Sequence, residues 1–143
     1  MNKTISASDL DIDVREGGES ALFKWFIASF LMGKRIQADI ACNAYRVIVE
    51  KHQRDTPRKL ANCTHRELVA MLGEAHYVRY DESTAERLSA LSQKLNADYG
   101  GKLSNIHQAS ENREDFEKRL QAFDGVGPKT VEIFMREAAG VLY

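Results

Sequence analysis

The segment between Phe123 and Pro128 constrains the fold more than any other part of the chain. Apolar residues on both sides recur at helical spacing, so the chain must reverse within about five residues between two helices. Gly125 and Gly127 are predicted to supply the backbone angles of this reversal, because glycine adopts left-handed conformations without steric cost. Val126, apolar between the glycines, is predicted to pack beneath the turn. Pro128 suits the first position of the following helix.

We interpret residues 111–139 as a helix-hairpin-helix motif. The first N–H groups of a helix have no intrahelical acceptor and lie at the positive end of its dipole, so such a turn suits one phosphate of a nucleic-acid backbone. A tight turn without a ligand is the alternative. The residues expected to contact DNA are Gly125, Val126, Gly127, Lys129 and Thr130 of the turn, with Lys34 and Arg35 of an earlier basic segment.

Helical periodicity extends through most of the remaining chain, and no segment shows sustained alternation of apolar and polar residues. We therefore predict an all-α, single-domain multi-helical bundle of about six or seven short helices. Residues 1–18, which carry more acids than bases, are predicted to form a flexible acidic arm. Residues 19–143 are predicted to form the helical domain, with an apolar face on its first helix.

Several short motifs predict where helices begin and end. Thr56 precedes a proline, and Thr64 precedes Glu67 by three residues, the spacing of a capping box. Gly100 is predicted to end a long helix as its C-terminal cap. Residues 102–109 are predicted to be a loop, and Ser110 is predicted to cap the helix that follows it.

The composition limits the classes of function. A formal net charge of −1 excludes a protein that coats nucleic acid by charge alone. The two cysteines, Cys42 and Cys63, and four scattered histidines show no ligand pattern, so we expect neither a metal site nor a cofactor. Residues 25–32, the longest apolar run, are too short to cross a bilayer, so we expect no membrane partner. The polar N-terminus does not resemble a signal peptide, and we expect a cytoplasmic protein.

Taken together, these motifs resemble the helix-hairpin-helix DNA glycosylase superfamily, and endonuclease III within it. Residues 123–130, Phe-Asp-Gly-Val-Gly-Pro-Lys-Thr, are similar to that family's Leu-Pro-Gly-Val-Gly-Arg-Lys-Thr. Residues 23–38, 56–60 and 76–88 resemble earlier family segments in order and spacing. The resemblance covers residues 20–139 and implies the six-helix barrel lobe of these enzymes, without their second lobe and its iron–sulfur cysteines.

The resemblance also implies an activity. Such enzymes flip a damaged base out of the duplex and cut its glycosidic bond, and some attack the sugar with a lysine that aligns with Lys129. The aspartate that assists them falls beyond Tyr143, and Lys34 stands near the place of a glutamine that relatives insert into DNA. An acid from the arm, Asp9, Asp11 or Asp13, is one conceivable replacement for that aspartate.

Three hypotheses follow, and the sequence leaves catalysis undecided. The first is a minimal DNA glycosylase or abasic-site lyase with Lys129 as nucleophile. The second is a catalytically inactive protein that binds double-stranded DNA through its backbone phosphates. The third is a protein-interaction module whose exposed Tyr77, Tyr80 and Tyr143 mark a partner surface. A homodimer or another protein is then expected to supply the missing lobe.

Overall fold

The computed structural model describes residues 4–143, and these residues form eight α-helices and no strand, which confirms the all-α class. A short 3₁₀ helix, Ser8–Leu10, precedes the first α-helix, and a π-helix, Arg46–Lys51, continues the second. The α-helices are α1 (Gly18–Met32), α2 (Ala38–Tyr45), α3 (Pro57–Ala61), α4 (His65–Glu74), α5 (Asp81–Tyr99), α6 (Leu103–Ala109), α7 (Arg113–Gln121) and α8 (Pro128–Leu142).

Helix α1 lies at the centre of the bundle and contacts α2, α6 and α8. We expected one apolar face, but α1 is buried on all sides, with every residue from 21 to 31 except Lys24 buried. A helix that is apolar all round belongs inside a core. The indole N–H of Trp25 donates to the Phe134 carbonyl at 3.1 Å and joins α1 to α8. None of the helices among residues 4–143 meets the length and hydropathy that a membrane span requires.

The N-terminal segment differs from the predicted flexible arm. Leu10, Ile12 and Val14 are at most 5% exposed and belong to the hydrophobic core, and the Ala7 N–H donates to a carboxylate oxygen of Glu137 on α8. The prediction was wrong for residues 4–17, because their polar composition hides apolar residues that pack into the core. Residues 1–3 lie outside the described part of the chain.

Local capping motifs place α3 and α4 as predicted. The Thr56 side chain accepts from the Lys59 N–H at 3.1 Å, one residue before Pro57 begins α3. Thr64 and Glu67 form the complete capping box of α4, in which each side chain bonds the other residue's backbone N–H. Gly100 ends α5 with a φ of 61°, as a C-terminal cap does.

Helix α6 replaces the loop predicted for residues 102–109. The carboxylate of Glu19 on α1 accepts hydrogen bonds from the backbone N–H groups of Leu103 and Ser104, at 2.5 and 3.0 Å. This carboxylate therefore caps α6 from another helix. The next helix, α7, is capped by Asn112, whose side chain accepts from the Asp115 N–H at 2.9 Å, and not by Ser110 as predicted.

The three tyrosines of the interaction hypothesis do not share an environment. Tyr77 is fully buried, with its hydroxyl 3.3 Å from that of Thr84, so its predicted exposure was wrong. Tyr80 and Tyr143 are half-exposed, but they lie in different parts of the chain, before α5 and after α8. Tyr77 therefore contributes to the core and not to a partner surface.

Candidate nucleic-acid interface

The α7–α8 connection is a six-residue hairpin, residues 122–127, held from below by two buried side chains. Phe123 and Val126 are 1% and 5% exposed, which confirms that Val126 packs beneath the turn. The Val126 N–H donates to the Phe123 carbonyl at 3.1 Å and closes the reversal. The ring of Phe123 meets Phe26 of α1 edge to face at 5.8 Å, so the hairpin rests on the central helix.

Gly125 is required by both conformation and space. Its φ of 82° falls in the left-handed region, which glycine occupies without strain. A methyl group at this position would lie 2.7 Å from Cδ of Arg87 and 3.1 Å from the ring of Phe30. The hairpin therefore approaches α1 and α5 as closely as a glycine permits.

Gly127 has neither requirement. Its φ of −108° is accessible to any residue, so the prediction that it supplies a special backbone angle was wrong. A Cβ atom at this position would have no atom of residues 4–143 within 4 Å, apart from those of Gly127 itself and its two neighbours in the chain. The backbone at Gly127 thus borders open space, and a side chain there would obstruct only a molecule approaching from outside.

The first turn of α8 leaves its backbone donors available. Within residues 4–143, no hydrogen-bond acceptor pairs with the N–H groups of Gly127, Lys129 and Thr130, and α8 has no capping side chain. Lys129 is exposed and has no ion pair in the described part of the chain. The Thr130 side chain is buried, so only its backbone can reach a ligand. These donors and the charge of Lys129 suit an anion.

Lys34, just after α1, reaches across to the hairpin. Its ammonium group donates a hydrogen bond to the Gly125 carbonyl and lies 4.5 Å from the centre of the Phe30 ring. Burial of this half-buried side chain, and then the charge of Arg87, lower the pKa of Lys34, whereas Asp124 acts in the opposite direction. The hydrogen bond between Lys34 and Gly125 joins the end of α1 to the hairpin.

Arg87 and Asp124 complete a concavity of about 570 Å³ above these donors. Arg87 Nε on α5 lies 3.8 Å from a carboxylate oxygen of Asp124 in the hairpin. The concavity is lined by Gly33, Lys34, Arg87 and residues 121–130, and therefore includes every predicted contact residue except Arg35. Arg35 is exposed next to Lys34 in sequence but does not line it.

Sequence reasoning assigned no role to Arg87 or Asp124. The signal for Asp124 was its place directly before the Gly-Val-Gly segment of the predicted hairpin. For Arg87, the signal was its place beside the apolar stripe of α5, seven residues before Lys94, whose ammonium lies 5.6 Å from the Phe123 ring. Two basic residues two turns apart therefore face the hairpin.

The acids of the N-terminal segment lie elsewhere. Asp11 and Asp13 line a second concavity with Arg136 and Glu137, in the second half of α8. Arg136 is roughly 10 Å along the helix axis from Lys129, at 1.5 Å per residue. The structure therefore does not bring these acids to Lys129, and the carboxylate that shares its concavity is that of Asp124.

Comparison of this chain with protein-family models, curated proteins and solved structures gives no match. The geometry of the hairpin and of the side chains around it is therefore what indicates a function.

Proposed function

We propose that this chain binds double-stranded DNA by holding a backbone phosphate at the α7–α8 hairpin. The observation that carries the proposal is Gly127, whose missing side chain serves neither conformation nor packing and whose backbone borders the unpaired donors of α8. A phosphate diester accepts hydrogen bonds from such donors and gains from the helix dipole. The binding is independent of base sequence, because phosphate contacts position a protein without reading bases.

The surrounding charge supports the same function. Lys129 is exposed beside the unpaired N–H groups, and Lys34 and Arg87 line the same concavity, so three cations face one carboxylate, that of Asp124. A protein of net charge −1 can still bind DNA through one surface when its basic side chains converge there. An all-helical bundle with its hairpin packed on a central helix is consistent with the barrel lobe that the resemblance implies.

Duplex affinity measured at rising salt concentrations tests this proposal. We expect binding to weaken with salt, and the Lys129→Ala variant to reduce the logarithmic salt slope by about one, because one fewer phosphate contact releases counterions. The control is Lys102→Ala, which removes an exposed lysine outside the concavity and should leave the slope unchanged. Absence of duplex binding at low salt, or equal slopes for both variants, would contradict the proposal.

Abasic-site lyase activity is the second candidate function. The observation that favours it is that Lys34, Lys129 and the Asp124 carboxylate line one concavity. A neutral lysine amine attacks the aldehyde of an abasic sugar and forms an imine with release of water, and burial or a neighbouring cation promotes the neutral amine. Lys129 is the amine that the resemblance implies. Lys34 is the second candidate, because burial and the charge of Arg87 lower its pKa.

Borohydride trapping on duplex DNA with a single abasic site tests the lyase candidate. Borohydride reduces the imine to a stable secondary amine, so an active protein becomes covalently attached to DNA. For an active lyase, we expect an adduct with the wild-type chain that either Lys129→Ala or Lys34→Gln eliminates, and the variant that eliminates it identifies the amine. A wild-type chain that binds the duplex without forming an adduct would exclude the lyase and leave phosphate binding intact.

A further inference from the structure

The ion pair between Arg87 and Asp124 is weak by its geometry. It rests on one contact of 3.8 Å, and the two side chains are 43% and 65% exposed. Ion pairs between solvent-exposed side chains contribute little to stability, because water and salt screen them. The guanidinium group can therefore exchange its partner without a large energetic penalty.

The aliphatic part of Arg87 is held more firmly than its charged end. Its Cδ and Cβ atoms lie against Gly125, so closely that a methyl group on the glycine would meet them at 2.7 and 3.3 Å. Arginine side chains commonly pack their stems on apolar surface while the guanidinium stays in water. The charged end of Arg87 is thus positioned at the concavity whatever its partner is.

Of the two cations Lys34 and Arg87, Arg87 is the one that can exchange its partner for another anion. The Lys34 ammonium is engaged by the Gly125 carbonyl and the Phe30 ring, whereas the one polar contact of the Arg87 side chain within residues 4–143 is the loose one to Asp124. The two cations are close enough for Arg87 to disfavour the charged form of Lys34. The Asp124 carboxylate, 3.8 Å from Arg87, offsets the repulsion between Lys34 and Arg87 only in part. A second anion in the concavity would reduce this repulsion further.

We propose that Arg87 binds a second phosphate of the DNA backbone and that Asp124 competes with this phosphate for the guanidinium group. This inference rests on the proposed DNA binding. A phosphate diester and a carboxylate both present two oxygens to the planar guanidinium, so they are interchangeable partners. When the duplex binds, Asp124 must release the guanidinium group and turn toward solvent, and the cost of breaking this contact lowers the affinity that the hairpin would otherwise have.

A double-mutant cycle on duplex binding tests the competition. We expect Asp124→Asn to tighten binding by about three- to fivefold, the effect of an exposed charge pair, and Arg87→Gln to weaken it by about tenfold. Because the carboxylate acts through Arg87, the gain from Asp124→Asn should disappear in the Arg87→Gln background. Asparagine before Gly125 preserves the turn, since Asn-Gly is a favoured turn sequence.

The matched control is Asp55→Asn, which removes the same charge from another surface ion pair outside the concavity, that with Lys59. The proposal is overturned if Asp124→Asn binds no more tightly than Asp55→Asn, or if its gain persists without Arg87. In either case, if Gly127→Glu still abolished duplex binding, the proposed function would stand. If the wild-type chain did not bind duplex DNA, the proposed function and the competition at Arg87 would both be excluded.

Discussion

The Gly127→Glu substitution should abolish duplex binding while leaving the fold intact. The glutamate side chain would enter the open space beside the hairpin, where it places bulk and negative charge in the phosphate position. Loss of two charge-assisted hydrogen bonds, each contributing about 1.5–3 kcal/mol, corresponds to at least about a hundredfold loss of affinity. Fluorescence anisotropy of a labelled duplex measures the affinity, and circular dichroism measures helix content and Tm.

Matched substitutions separate this effect from a general change of charge. Gly73→Glu adds the same side chain at an exposed glycine of α4 that also has no neighbouring atom within 4 Å. It should bind duplex DNA almost as the wild-type chain does. Gly127→Ala adds only a methyl group, and we expect an intermediate loss. If Gly127→Glu bound as tightly as Gly73→Glu, the hairpin would not be the phosphate site.

Local signals in the sequence account for the parts of the fold that were predicted correctly. Pro128 begins α8, Thr64 and Glu67 cap α4, and Gly100 ends α5, as their spacing indicates. Each depends on backbone groups within about four residues of the side chain concerned. The same reasoning correctly placed Val126 beneath the hairpin, because an apolar residue between two glycines has only the helices to pack against.

Contacts between distant residues account for the predictions that were wrong. Nothing in residues 102–109 themselves indicates a helix, because the carboxylate that caps α6 belongs to Glu19, more than eighty residues earlier. The N-terminal segment is polar in composition, yet Leu10 and Ile12 are buried in the core, and a hydrogen bond from the Ala7 N–H to Glu137 joins the segment to α8. Local propensity cannot contain this information, since tertiary packing overrides it.

The candidate site also has one part that could be predicted from the sequence and one part that could not. Its backbone part, the donors of α8 beside Gly127, could be predicted from residues adjacent in sequence. Its side-chain part could not, since Arg87 is far from the hairpin in sequence and only the folded chain brings its side chain to Gly125 and Asp124. Gly127 shows why the structure is needed even for the local part. The sequence predicted a special backbone angle at Gly127, whereas its φ of −108° does not require glycine and the space beside it is open.

The Phe26→Ala substitution should cause the largest loss of stability and remove the support of the hairpin with it. Phe26 is fully buried in α1, and its ring meets Phe123 of the hairpin at 5.8 Å and Phe134 of α8 at 5.3 Å, both edge to face. Truncating a buried phenylalanine costs about 3–5 kcal/mol, a large part of the roughly 5–15 kcal/mol typical of a domain. Urea denaturation monitored by circular dichroism measures the free energy of unfolding.

Phe26→Leu serves as the control, because it fills more of the space and should cost only about 1–2 kcal/mol. A loss below about 1 kcal/mol for Phe26→Ala would contradict the packing of Phe26 between the hairpin and α8. Under conditions in which the Phe26→Ala variant is still folded, the affinity of this variant for duplex DNA should also fall. The hairpin beside the N–H groups that are proposed to bind phosphate rests on the Phe26 ring. Stability and binding should therefore decline together in Phe26→Ala, whereas in Gly127→Glu binding is lost alone. This contrast separates a hairpin that binds DNA from one that only joins two helices.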